Sequence, residues 1–280
     1  MREYRYRKHI RWGQYALPAL FGFIGVSPWI LILWLGLRPD SSGAQAVYVL
    51  AVLLTVLTIL VGAPVWWLYW RLAGIAISLE PDALVYRHRR GADRLPYDRI
   101  GPLHFPGAPY LGGWVALRSG EKTIRLTVVV EGIGALLRDL KAALDARGLS
   151  ASYDAKRLYA FMKTAEFADQ GWERTYEVFW KLVLATIGAA LVGVLVALLV
   201  HARGGAMLLW IVVSTLWPVA IYGTAEVLFG RRIAKLSDEA SFSCPPRDRA
   251  WERAVYRKAI VWGAGLYLLA CAGVWAAWSR

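Results

Sequence analysis

Five stretches of this chain carry no Asp, Glu, Lys or Arg and are each about as long as a membrane is thick. They are residues 12–37, 41–70, 182–200, 204–225 and 259–279. About 20 helical residues are enough to cross the hydrocarbon core of a bilayer. A soluble protein rarely needs five such runs, and the composition, which is 58% hydrophobic, agrees with a membrane environment. The chain is therefore predicted to be an α-helical polytopic membrane protein with five transmembrane helices.

The basic residues lie almost entirely on one side of these predicted spans. With the N-terminus taken as cytosolic, segments 1–16, 71–181 and 231–258 hold 5, 17 and 8 Lys and Arg residues, which are 30 of the 33 in the chain. Cytosolic loops are enriched in Lys and Arg. The pattern predicts an inner-membrane protein with its N-terminus and residues 71–181 in the cytosol and its C-terminus on the opposite side. Because topology accounts for the net charge of +13, no nucleic-acid partner is expected.

The predicted spans divide the chain into six parts. They are the basic N-terminus with a first hairpin at 1–70 (helices at about 14–37 and 46–70), a β domain at 71–148, an amphipathic connector at 149–181, a second hairpin at 182–230 (helices at about 182–200 and 206–228), a link at 231–258 and a fifth span at 259–280. In the connector, apolar residues at helical spacing predict a short helix. We expect Gly171 to interrupt that helix before the third span begins.

The β domain is the only long segment with the pattern of a water-soluble fold. Apolar and other residues alternate in 75–79, 84–88 and 122–130, which is the periodicity of strands. From 133 to 144 the apolar residues instead recur on one face of a helix. The domain is therefore predicted to have five or six antiparallel strands followed by one amphipathic helix, which is an α+β arrangement.

Strands closed by one C-terminal helix are similar to a pleckstrin-homology-like domain. The segment 91–100, GADRLPYDRI, resembles the "ipw/ydeI" third-strand pattern of bacterial pleckstrin-homology-like membrane proteins, and the resemblance is limited to residues 73–148. It implies a PH-like domain placed between transmembrane hairpins. It also implies a non-catalytic module for contacts with proteins or with the membrane surface, and it specifies no ligand.

Four arginines make one edge of this domain strongly basic. Arg87, Arg89, Arg90 and Arg94 lie in and beside a predicted turn. They are the candidate contact for anionic lipid headgroups or for an acidic partner protein, because cationic clusters beside a span attract anionic headgroups. The alternative is a solvated turn whose charges only follow the topology rule. The sequence leaves both interpretations open.

The two ends of the chain share a motif. Residues 6–13, YRKHIRWG, match residues 256–263, YRKAIVWG, at six of eight positions. The match indicates either an old duplication or the recurrence of Tyr, Trp, Arg and Lys at cytosolic interfaces. The basic N-terminal residues 1–11 are interpreted as fixing the orientation of the first span, with attraction of anionic headgroups as the alternative.

The sequence contains no recognisable catalytic or cofactor motif. The patterns His-Glu-x-x-His, Cys-x-x-Cys and Gly-x-Ser-x-Gly are absent. Glu226 is the ionisable residue nearest to the interior of a span, and we expect a local ion pair or an interfacial position there in preference to a proton relay. No catalytic residue, metal, cofactor or small-molecule substrate is therefore predicted.

The sequence as a whole favours a non-catalytic integral membrane protein. Its PH-like domain would dock a partner protein or the anionic membrane surface, as a scaffold or subunit of a membrane complex. The expected partners are the lipid bilayer and one or more proteins. A transporter or channel component is the first alternative, and a lipid-modifying membrane enzyme is the second.

Overall fold

The structure is a computed structural model that describes residues 2–37, 44–108, 110, 112–120, 122–199 and 205–278. The elements are β1 (Glu3–Arg5), α1 (Lys8–Trp34), α2 (Ala44–Leu57), a π-helical turn (Thr58–Gly62), α3 (Ala63–Ala73), β2 (Ala76–Leu79), β3 (Ala83–His88), β4 (Gly91–Pro96), β5 (Gly107–Ala108), β6 (Gly112–Ser119), β7 (Lys122–Thr127), α4 (Ile133–Asp145), α5 (Ala155–Leu199), α6 (Gly205–Leu236) and α7 (Arg249–Trp278). Residues 38–43 and 200–204, which join the predicted span pairs, lie outside the described residues. The chain forms two compact units, residues 1–106 with 113–154 and residues 107–112 with 155–280.

Four helices are long and apolar enough to cross a membrane. They are Lys8–Trp34, Ala44–Ala73, Ala155–Leu199 and Trp210–Leu236. At most 17% of the residues in their most apolar windows are buried within the protein, so most of these apolar side chains lie on the outside, as lipid-facing surface requires. α7 covers most of the fifth predicted run but is not among the four spans found in the described residues. Membrane localisation therefore rests on four helices.

The first hairpin has a local defect where α2 meets α3. The backbone N–H of Ala63 donates to the carbonyl of Thr58, five residues earlier, which is the bond of a π-helix. Pro64 explains the defect, because proline lacks an N–H and its ring crowds the carbonyl four residues before it. A single π turn relieves that conflict without ending the helix.

Hydrogen bonds from side chains tie α1 to α2 and α3. The indole Nε1 of Trp29 donates to Thr55 Oγ1 at 2.8 Å. Trp66 Nε1 donates to the backbone carbonyl of Gln14 at 3.0 Å. Gly13 brings α1 close to α3, since a Cβ at this position would collide with the ring of Tyr69. Such bonds and small residues are the usual means by which helices associate where apolar burial gives no net gain.

The N-terminus forms the first strand of the four-stranded sheet of this unit, whose order is β1-β2-β3-β4. β1 pairs antiparallel with β2, with Tyr4 opposite Ile77. The hairpin α1–α3 is therefore an insertion between two neighbouring strands. Tyr4 and Tyr6 are buried, so the predicted role of residues 1–11, orientation alone, is incomplete. The strand has only three residues, which is too short for its alternation to identify it in the sequence.

The hairpin β6–β7 and helix α4 complete the apolar core of the first unit. β6 and β7 pair antiparallel, with Leu117 opposite Ile124. The predicted helical stripe is confirmed, and its buried leucines are Leu136, Leu137, Leu140 and Leu144. Tyr4 donates a hydrogen bond to Asp139 at 2.5 Å, so α4 also holds the N-terminal strand.

The predicted interruption of the connector helix at Gly171 is wrong. α5 is one helix of 45 residues, Ala155–Leu199. A helical glycine costs only about 1 kcal/mol, and packing of α5 against α6 outweighs that cost. A Cβ at Gly171 would lie at ordinary van der Waals distances, 3.5 Å from Arg174 Nη2 and 3.7 Å from Glu226 Oε2. Gly171 therefore lies directly against a buried ion pair.

Candidate functional site

The four arginines proposed as a contact site lie on the β3–β4 hairpin. β3 and β4 pair antiparallel with His88 opposite Gly91, so Arg89 and Arg90 form a two-residue turn. Arg87 lies on β3 and Arg94 lies on β4. The structure brings all four onto one hairpin, but it gives them different partners.

Arg94 is neutralised by two acids. Its Nη2 donates to both carboxylate oxygens of Asp82, at 2.7 and 2.8 Å, and its Nη1 lies 2.7 Å from Glu80 Oε2. The hydrogen bond from Arg94 lowers the pKa of Asp82 below its ordinary value of 3.8. Arg94 therefore closes the turn between β2 and β3, and its charge is already matched.

Arg89 fixes the hairpin to the transmembrane helices of the same unit. Its Nε donates to the backbone carbonyl of Trp70 at 3.0 Å, and its Nη2 donates to Gln14 Oε1 at 2.6 Å. The guanidinium also stacks on the ring of Trp70, 4.5 Å from the centroid. Gly74 makes room for this arrangement, since a Cβ there would collide with the Arg89 side chain. The turn is thereby held at the ends of α1 and α3, beside Trp66, Trp67 and Trp70.

Arg87 and Arg90 remain the available cations of the hairpin. Arg87 has a side chain that is 56% exposed, and its nearest acid, Glu3, is 4.0 Å away. Arg90 is exposed, and within the described part of the chain its guanidinium has no partner. Arg71, whose guanidinium lies over the ring of Trp67 at 5.6 Å, adds a third cation at the end of α3. We call Arg71, Arg87 and Arg90 the turn cations.

The acidic group nearest to the turn is also paired. Asp93 on β4 forms an ion pair with Lys122 on β7 and lies 3.4 Å from His88 Nε2. The hydrogen bond from Lys122 lowers the pKa of Asp93 below its ordinary value of 3.8. Arg87 and Arg90 on the hairpin and Arg71 on α3 therefore have no free carboxylate beside them among the described residues.

A second charged cluster lies in the other unit, and sequence analysis found only one member of it. Arg174 of α5 donates from Nε and Nη2 to the two oxygens of Glu226, at 2.9 and 2.6 Å. Its Nη1 donates to Glu252 of α7 at 3.0 Å. The Arg174 side chain is only 1% exposed. Glu226 is thus part of an ion pair, but its partner Arg174 lies on another helix and is not local in sequence.

Arg247, in the link before α7, extends this cluster. It donates from Nε to Glu252 at 2.8 Å, and from Nη1 and Nη2 to Glu177 at 2.9 and 2.7 Å. We call Arg174, Glu177, Glu226, Arg247 and Glu252 the ion network. Their wide separation in sequence explains why only the charged residue beside an apolar run was noticed.

The deeper contacts between α6 and α7 are made by uncharged polar groups. Trp217 Nε1 donates to the carbonyl of Gly263 at 2.9 Å, and the hydroxyl of Tyr267 donates to Ser214 at 2.8 Å. Trp210 Nε1 is buried and has no acceptor among the described residues. A search of the described ranges finds no group of three or more His, Cys, Asp or Glu side chains that could hold a metal ion.

No family model matches this chain, and neither the curated proteins nor the solved structures give a match. The fold itself defines the class. This is a mostly helical membrane protein that combines four helices able to cross a bilayer with a small antiparallel sheet.

Proposed function

We propose that this chain is a non-catalytic integral membrane protein whose PH-like domain is a docking module at the cytosolic face of the inner membrane. It would act as a scaffold or as a subunit of a membrane complex. The observation that carries this proposal is the attachment of the β3–β4 turn to the ends of α1 and α3 by Arg89. The sheet of this domain has its first strand before α1 and its other strands after α3. The domain is therefore attached at several points to the helical hairpin that anchors it in the membrane.

The order of elements supports the PH-like assignment. A four-stranded antiparallel sheet, a further hairpin and a C-terminal amphipathic helix follow one another in the first unit. The motif at 91–100 forms β4 and the turn after it. If the run in α7 is a fifth span, the charge distribution supports a cytosolic location for this unit and a C-terminus on the opposite side.

The turn cations support contact with anionic headgroups in preference to an acidic protein. Arg89 holds the turn at the level of Trp67 and Trp70, and tryptophans are enriched at the membrane–water interface. Arg71 and Arg90 then lie at the depth of the phosphates, where each cation near an anionic surface contributes roughly 1 kcal/mol. Headgroup contact orients the domain, and its remaining surface is free to bind a protein partner.

A photo-crosslinking amino acid in place of Ala92, which is exposed beside the turn, tests this proposal in native membranes. We expect adducts with anionic lipid, identified by mass spectrometry, that are lost in the Arg90→Glu variant. Arg99→Glu is the matched control, because it makes the same charge change at an exposed position outside the hairpin. An equal yield in all three proteins, or adducts with an acidic protein only, would overturn the headgroup contact. Failure to copurify any protein partner from native membranes would count against the scaffold role.

A transporter or channel component is the second candidate, and the polar groups between α6 and α7 are the observation that favours it. Hydroxyls and indoles can line a pathway without formal charges, and Trp210 Nε1 lacks an acceptor among the described residues. Solute flux through proteoliposomes that is lost in Tyr267→Phe would establish this function. The other polar groups named there bond to each other, which is the arrangement of helix packing.

A further inference from the structure

The ion network has a consequence for the outside of the second unit. It draws the carboxylates of Glu226 and Glu252 onto Arg174 between the helices, and it pairs the exposed Glu177 with Arg247. Exposed cations on the same helices are left without ion pairs among the described residues. They are Lys181 on α5, Arg231 on α6, and Arg253, Arg257 and Lys258 on α7. Arg174 therefore holds Glu226 and Glu252 inside, the exposed Glu177 is paired with Arg247 and Arg249, and these five cations lie outside.

Three of these cations are close together on α7. Arg253 and Arg257 are four residues apart, which places them on one face of the helix one turn from each other, and Lys258 follows directly. The neighbouring face is the one that packs inward, because Glu252 is buried and Tyr256 donates to Glu226 at 3.1 Å. Lys258 lies about 100° around the helix from Arg257, so the three exposed cations are spread over the side of α7 that faces away from its packed face.

Exposed apolar surface begins immediately after this group. Ile260, Val261 and Trp262 are exposed, with Trp262 at 74%, and the exposed leucines Leu266 and Leu269 continue the surface by one and two turns. A ligand that satisfies both parts must carry a negative headgroup joined to an apolar tail. A soluble phosphate compound or a nucleic acid would satisfy only the cations.

We propose that Arg253, Arg257 and Lys258 form a binding site for an anionic phospholipid, with the phosphate between the three cations and the acyl chains along Val261 and Trp262. The site favours anions because the carboxylates of the ion network, Glu177, Glu226 and Glu252, are already paired with arginines. The site lies wholly on the second unit and does not depend on the function proposed for the first.

Native mass spectrometry of the full-length protein, titrated with phosphatidylglycerol or phosphatidylcholine, tests the site. The triple variant Arg253→Gln, Arg257→Gln and Lys258→Gln is expected to bind phosphatidylglycerol about a hundredfold more weakly, since three cations near an anionic headgroup are lost. The charge-retaining variant Arg253→Lys with Arg257→Lys is expected to keep most of the affinity and shows that the surface can be changed without unfolding.

The matched control removes three exposed cations farther from the apolar surface, by Lys156→Gln, Lys235→Gln and Arg249→Gln. We expect its affinity to stay close to that of the unaltered protein. Equal weakening in the control, equal binding of phosphatidylcholine, or full competition by inorganic phosphate would overturn the site. The crosslinks from position 92 report on the first unit only, so a failure here leaves the proposed docking function standing.

Discussion

Replacing Arg174 with Met is expected to be among the most destabilising single changes in this protein. The side chain is 1% exposed and makes three charge-assisted hydrogen bonds to Glu226 and Glu252. Met retains the apolar stem and removes only the guanidinium. The change therefore leaves carboxylates in a site that was built around a cation.

The two carboxylates are not affected equally. Glu252 keeps its bond from Arg247 at 2.8 Å, whereas Glu226 keeps only tyrosine hydroxyls among the described residues, that of Tyr256 at 3.1 Å and that of Tyr222. Removal of one partner from a buried ion pair costs about 3–5 kcal/mol, because the other charge stays buried without compensation. We expect a loss in this range, with most of it due to Glu226.

The free energy of unfolding of the full-length protein in bicelles, measured by steric trapping, gives this quantity. The double variant Arg174→Met with Glu226→Gln should recover a large part of the loss, because it also removes the uncompensated charge. Arg249→Met is the control, since this arginine is 67% exposed and 3.3 Å from Glu177. Exposed pairs contribute about 1 kcal/mol or less.

Two results would refute this reasoning. One is a loss for Arg174→Met that is no larger than the loss for Arg249→Met. The other is a double variant as unstable as Arg174→Met alone, which would mean that the loss comes from the missing guanidinium contacts and not from the carboxylate left without a cation.

Three further predictions concern the first unit. The folded-state pKa of Asp93 lies below 3.8, so its contribution to the free energy of unfolding is complete above pH 3.8 and is lost as the pH falls through the folded-state pKa. The Asp93→Asn variant should therefore show a smaller fall in the free energy of unfolding below about pH 4. A fall as steep as in the unaltered protein would contradict this prediction. Gly13→Ala forces a Cβ against the ring of Tyr69 and should cost about 1–3 kcal/mol, whereas Gly22→Ala has no atom within 4 Å to meet and should leave thermal stability nearly unchanged. Removal of residues 2–5 deletes β1 and should make the sheet sensitive to limited proteolysis, and protection equal to that of the full chain would show that the sheet does not need this strand.

The helices of this protein follow from local sequence to a large extent. Long charge-free runs predicted the four helices that can span a membrane, and the apolar period from 133 to 144 predicted α4. The place of β1 was not predicted, because a three-residue strand with charges at two positions has no detectable period. The continuity of α5 through Gly171 was also missed, since a local helix breaker says nothing about the packing that outweighs it.

The candidate sites divide in the same way. The basic hairpin was visible because its four arginines are close in sequence. Their partners were not, and those partners decide which of them can bind a ligand, since Arg94 is matched by acids and Arg89 is bonded to Trp70 and Gln14. The ion network joins residues more than fifty positions apart, so no local sequence pattern predicts it.

The sequence by itself determined that this chain belongs in a membrane, because the hydropathy of a run about twenty residues long decides its solvent before any tertiary contact forms. Only the tertiary structure decided that the N-terminal strand completes a sheet resumed after the hairpin, and that buried Arg174 gathers acids from two other helices. These features depend on pairing between distant segments. A charge or a strand edge acquires its role from the partner that folding places beside it.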